Sequence, residues 1–137
     1  MSRTLSVLVV AGTSLLLAAT ATPQASTTLT IRHQLRGCHS WSLNGGAYKP
    51  AQAVTLTQGA TLTIVNNDVM PHKLVKLSGP ALTLPSSANM NHSAATTHVK
   101  FSKAGVYKFM TKAGEDYMKG VKTIGADNIL RLRVTVR

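Results

Sequence analysis

Most of the chemistry open to this chain of 137 residues rests on five histidines, one cysteine and a set of methionines. The donors are His33, His39, His72, His92, His98 and Cys38, with Met70, Met90, Met110 and Met118. Thiolate, imidazole and thioether groups are soft to borderline donors that suit copper, whereas calcium and magnesium take oxygen ligands. Any one of these side chains taken alone has a plain reading as core or surface packing. Position has to discriminate, and two segments do. In Asn66-Asn-Asp-Val-Met-Pro-His-Lys-Leu74, His72 directly follows Pro71, whose fixed φ holds the backbone and presents the imidazole at a loop edge. In Gly37-Cys-His-Ser-Trp41, the only cysteine stands beside a second histidine.

Other chemistries are poorly supplied. Four acidic residues provide neither a Ser-His-Asp arrangement nor a catalytic carboxylate pair, and no Gly-rich phosphate loop is present. The chain is therefore expected not to be an enzyme. Its formal net charge of +11 favours anionic partners. The lysines and arginines are dispersed singly without interleaved aromatics, so no nucleic-acid partner is expected. A lone cysteine allows no internal disulfide, which leaves Cys38 as a buried thiol, an intermolecular partner or a metal ligand.

The elements that must position these residues begin after a leader. Arg3, the uncharged apolar run Leu5 to Ala19 and the small-x-small Ala19-Thr20-Ala21 read as a secretory signal over residues 1–21. At about fifteen residues the run is short for a bilayer span. Export to the periplasm or beyond is expected, without a membrane span. Residues 22–28 read as a flexible lead-in, and residues 29–137 as one domain with structure beginning near Leu29.

That domain shows β-branched segments separated by turn residues, the pattern of an all-β sandwich. Leu62 and Ile64 alternate with Thr61 and Thr63. Leu130, Leu132, Val134 and Val136 alternate with Arg131, Arg133, Thr135 and Arg137. Each pattern gives one face to the core and one to water. His98–Phe101 and Val106–Thr111 around Ser102–Gly105 read as a hairpin. Ser78 to Thr97 reads as a long loop, and Ala113 to Asp127 as a second irregular stretch with one helical turn at Gly114–Met118.

The Asn-rich turn before Pro71-His72 resembles the cupredoxin family, in which such a turn ends the third strand and its histidine is the first copper ligand. Phe101-Ser-Lys-Ala-Gly-Val-Tyr-Lys-Phe-Met-Thr111, followed by Met118-Lys-Gly120, is similar to the family's second motif. The resemblance spans roughly residues 29–137 and implies a Greek-key β-sandwich with copper bound at one end. It also exposes departures. Thr111 stands where the family's cysteine ligand would be, and no histidine lies in Lys112 to Tyr117. Only His72 and Met118 carry over, so the usual trigonal site is not available and a non-standard one is expected.

In the family's topology the connection between the first two strands lies at the copper end, so Cys38 and His39 are candidates to face His72; packing of Cys38 beside Trp41 is the alternative. Adjacent residues both ligate only if that segment is a loop or bulge. Met90-Asn-His92 is a second possible contributor from the long loop. Glu115 and Asp116 are candidates either for salt bridges or for accepting a histidine N–H behind a metal. His33 and His98 receive no role. The expectation is an exported copper-binding protein for copper handling or electron transfer, partnered by an acidic redox or copper-transfer protein. Its competitor is a metal-free module whose basic face binds an acidic envelope partner.

Overall fold

A computed structural model describes residues 26–34, 38–122 and 128–137. The expected signal segment and the first part of the lead-in lie outside the described residues. Among those described, no helix is long and apolar enough to cross a membrane.

The described residues form nine strands in chain order: β1 Thr27–His33, β2 His39–Leu43, β3 Ala51–Leu56, β4 Thr61–Asn67, β5 His72–Ser78, β6 Asn89–Met90, β7 Ala95–Lys100, β8 Gly105–Ala113 and β9 Arg131–Val136. The first described strand thus starts at Thr27, two residues before Leu29. The strands form a four-stranded sheet, β2-β1-β4-β7, and a five-stranded sheet, β3-β9-β8-β5-β6. Both are mixed: β1 runs parallel to β4 and β3 parallel to β9, while the remaining neighbours are antiparallel. The all-β sandwich expected from the alternation is the observed architecture.

Period-two patterning builds the core between the sheets. Leu29 and Ile31 of β1, Trp41 of β2, Leu62 and Ile64 of β4 and Val99 of β7 line one inner face. Leu74, Tyr107, Phe109, Leu132, Val134 and Val136 line the other. Burial of each large side chain contributes about 1.5–3 kcal/mol relative to exposure. Phe101 meets Tyr107 edge-on at a centroid separation of 5.0 Å, and the Tyr107 hydroxyl donates to the Lys103 carbonyl at 2.7 Å. The polar tip of this buried ring is thereby satisfied.

Two expectations need correction. The segments around Ser102–Gly105 do not make a hairpin. β7 pairs with β4 in one sheet and β8 with β5 and β9 in the other, so the chain changes sheets at a corner. Gly105 permits the corner with φ +140°, and a Cβ there would stand 2.6 Å from Pro80 Cγ. Ser78 to Thr97 is not one long loop either. β5 runs to Ser78, a 3-10 turn covers Ser86–Ala88, β6 adds a short rung to β5, and β7 starts at Ala95. Leu82, Leu84, Ala88 and Met90 pack on the core and anchor the stretch despite its prolines and serines. The expected helical turn is observed as a 3-10 turn at Gly114–Asp116.

Candidate metal centre

The inward-facing alternation does not stop where the apolar residues end. On β1 the series Leu29, Ile31 continues to His33, and on β2 Trp41 is preceded on the same face by His39. The two histidines are direct cross-strand partners, as are Ile31 and Trp41. On β4 the series Leu62, Ile64 continues to Asn66 and, just past the strand, to Asp68, both fully buried. His72 opens β5 on the same face as Leu74 and is also fully buried. One end of the sandwich therefore closes with a cluster of polar residues, whereas the middle of the interior is mostly apolar.

Asn66 holds this end together. Its Nδ2 donates to the carbonyls of Met70 at 3.0 Å and Met90 at 3.1 Å, and its Oδ1 accepts the Asp68 amide at 3.0 Å. Asp68 Oδ1 in turn accepts the Met70 amide at 3.0 Å. Such Asx-type bonding is what Asn and Asp bring to a turn. It delivers Pro71 and His72 in a fixed position at the mouth of β5. His39 is held from a remote segment: its amide donates to Asn128 Oδ1 at 2.9 Å, and Asn128 Nδ2 donates to its carbonyl at 2.6 Å. Cys38 precedes it with φ +41°, a left-handed conformation uncommon for a residue with a Cβ. The irregular backbone required for Cys38 and His39 to face one site is thus present, and both are buried.

The Asp68 carboxylate is the electrostatic centre. Its Oδ2 accepts from His39 Nδ1 at 2.7 Å and from His72 Nε2 at 3.1 Å, while its Oδ1 stands 3.6 Å from His33 Nδ1. Burial pushes this carboxyl up, but the hydrogen bonds from His39, His72 and the Met70 amide, with the charge of His72, outweigh it. Asp68 is held well below the usual carboxylate range. The His39 and His72 rings meet edge-on with centroids 4.6 Å apart, and His33 lies 6.3 Å from His39. Cys38 Sγ is 4.0 Å from His33 Nδ1.

Two donor groups result, His33–Cys38–His39 and His39–Asp68–His72, and within each group the donor atoms lie within 4.8 Å of one another. They share His39. His72 Nδ1 is buried with no hydrogen-bond partner among the described residues, so this ring has a second nitrogen to offer once Nε2 is committed to Asp68. The set of imidazoles, thiol and carboxylate fits a borderline or soft cation in its chemistry.

Of the expected site residues, the structure brings Cys38, His39 and His72 together. Met90 is fully buried in the core, opposite His72 across the β5–β6 pair. Met118 is half-buried just beyond the 3-10 turn, its amide donating to the Gly114 carbonyl at 2.7 Å. His92 is exposed, its Nδ1 donating to the Ser93 carbonyl at 2.9 Å, and it belongs to neither donor group. His33 and Asp68 are the members that sequence reasoning missed. Continuation of the inward alternation past Ile31 and Ile64 was the available signal. Asp68 accepts histidine N–H groups in the manner considered for Glu115 and Asp116.

Thr111 is buried on β8 between Phe109 and Ala113, on the inner face, and its register partner is Leu74, one inward step from His72. The strand that follows the Gly105 corner therefore aims at the polar end yet carries a hydroxyl there. Two mixed sheets, with Pro71-His72 and the end of β8 meeting at one pole, settle the architecture. The fold is cupredoxin-like. No protein-family model matches the chain, and comparison with curated proteins finds no match. Solved structures similar to it include a purple cupredoxin from Nitrosopumilus maritimus, at 17% identity over 82% of this chain and 100% of that one, with a TM-score of 0.49. Amicyanin from Paracoccus versutus is similar at 17% identity over 85% of each chain, with a TM-score of 0.43. The cupredoxin-like description of this chain rests on its own sheet order and motif positions.

Proposed function

We propose that this chain is an exported copper-binding protein of the cell envelope that handles copper or transfers electrons through a non-standard site. The observation that carries the reading is the pair of overlapping donor groups sharing His39, buried at the pole where the Pro71-His72 turn ends. His39 and His72 supply imidazole nitrogens, Cys38 supplies a thiolate, and Asp68 orients the rings and balances the charge of the ion. Bound copper would contribute one-electron redox capacity, or simply be cargo. His33, with 29% of its side chain exposed, makes the outer edge of the cluster and gives an ion a route by ligand exchange. That partial access favours handling. Met118, Met90 and His92 remain auxiliary donors in this reading, Met118 and Met90 as thioethers for Cu(I) and His92 as an exposed capture ligand.

The test is direct. Replacing His72 by Ala is expected to weaken copper binding by at least about tenfold, or roughly 1.4 kcal/mol. Unchanged affinity in a competition titration with a chelator overturns the assignment.

A second reading is supported by Asp68 itself. Its two oxygens are already satisfied by His39, His72 and the Met70 amide, so this buried carboxylate needs no ion to balance it. On that footing, with the carboxylate satisfied though His72 Nδ1 is left without a partner among the described residues, the chain is a metal-free interaction module whose basic surface binds an acidic envelope partner. Equilibrium dialysis against copper followed by a chelator wash separates the two, because only the first retains the ion.

A further inference from the structure

The outward face of the five-stranded sheet is arranged against its own stability. Its outward residues include Lys73 of β5, Lys108 and Lys112 of β8, and Arg131 and Arg133 of β9, all exposed. Register places Lys108 directly opposite Arg133 and Lys73 directly opposite Lys112. Directly opposed like charges destabilise an antiparallel pair. None of these five cations forms an ion pair among the described residues; Lys73 stands 5.9 Å from the centre of the Tyr117 ring. Alternation requires polar residues here, but threonine or an oppositely charged pair would satisfy that requirement better.

The face also has a shallow depression lined by Ala51, Gln52, Leu77, Lys108, Arg131 and Arg133. Ala51 is the register partner of Arg131, and so small a side chain leaves the low ground beside the arginine. Leu77, at the bulge where β5 loses register with β8, is half exposed at its edge. We propose that this face docks an acidic segment of a partner protein, its carboxylates on Arg131, Arg133 and Lys108 and an apolar side chain in the depression. Charge complementarity selects the anion. The concavity selects a polypeptide over a lipid surface, because a planar array of headgroups does not reach into a depression that a single protruding side chain can fill. Lys73 and Lys112 extend the face to the rung adjoining His72 and Ala113, so a docked partner would border the metal centre. That last consequence rests on the copper reading; the docking does not.

The test uses metal-free protein, so its outcome is independent of copper. End-labelled poly-L-glutamate is titrated against the wild type and against Lys108→Glu, with Lys100→Glu, on β7 of the other sheet, as control. Lys108→Glu turns a like-charged pair with Arg133 into an opposite-charged one. Its melting temperature should hold or rise while peptide affinity drops by about tenfold. Lys100→Glu should change affinity little, and amide shift perturbations should map to β8, β9 and β3. Equal losses in the two variants, or shifts spread over all basic surfaces, overturn the proposal in favour of diffuse attraction. Tighter binding of phosphatidylglycerol vesicles through the same residues overturns it in favour of a lipid surface. A copper affinity unchanged in Lys108→Glu keeps failure of the docking surface distinct from failure of the metal centre.

Discussion

Replacing Asp68 by Asn keeps the shape of the side chain and removes its charge. Asp68 Oδ2 accepts from both His39 and His72, and Oδ1 accepts the Met70 amide. Hydrogen bonds to a charged group contribute about 1.5–3 kcal/mol and neutral ones about 0.5–1.5, so neutralising the acceptor of two imidazoles costs roughly 2–3 kcal/mol. An amide also has only one oxygen. Turned toward the rings, it sets its NH2 against the Met70 N–H and leaves a buried donor without an acceptor, a further cost of about 1–3 kcal/mol. Turned the other way, it abandons the rings. The expected loss is about 3–6 kcal/mol, a large part of the stability of a domain this size, and should lower the melting temperature by roughly 10–25 °C. Trp41, the single tryptophan and fully buried, reports unfolding by fluorescence. Copper affinity should fall alongside by about 10–100-fold, the usual cost of removing a group that orients metal-binding histidines. A variant that melts within about 2 °C of the wild type, a shift worth well under 1 kcal/mol, refutes the claim that this carboxylate holds the pole together.

Cys38→Ser separates packing from ligation. Serine keeps nearly the same size and meets the same positive φ, so a change in stability alone marks packing, whereas joint loss of copper affinity and of the thiolate-to-copper absorption marks ligation. If the chain binds copper as proposed, and if Thr111 stands where the cupredoxin resemblance sets the thiolate, the copper-loaded wild type should lack the intense blue colour of a trigonal thiolate site; a strongly blue protein would show that Cys38 recreates that geometry. Acid should destabilise the metal-free protein through Asp68. Its folded-state pKa lies below its unfolded one, so its contribution is fully present above about pH 4 and is lost as pH falls through the lowered value. Urea titrations at successive pH values should show this loss in the wild type and a smaller one in Asp68→Asn; equal slopes would refute it.

How much of this was legible beforehand differs by element. β4 and β9 could be read from Leu62-x-Ile64 and Leu132-x-Val134-x-Val136, because period-two alternation is local and burying one face is the dominant energy. The chemistry of the donors was legible too, since softness belongs to the side chain, and Pro71 fixed attention on His72. Alternation says which residues face inward but not which strand lies next to which. β7 and β8, sequence neighbours with similar patterns, went to different sheets, and the parallel pairs β1·β4 and β3·β9 join segments that no local signal connects.

The pole of the sandwich shows the same limit more sharply. A histidine at the end of β1 and an aspartate in a turn look ordinary one at a time, and His33 and Asp68 gain meaning only beside His39 and His72. Asn128 reaches the His39 backbone across 89 positions of sequence. A buried polar group must find its partner wherever the chain brings one, since leaving it unpaired costs about 1–3 kcal/mol. Sequence alone determined strands such as β4 and β9, the donor types and the hydroxyl at Thr111. Tertiary structure decided which donors meet, because a carboxylate buried between two imidazoles is stable only where separate strands converge to satisfy it.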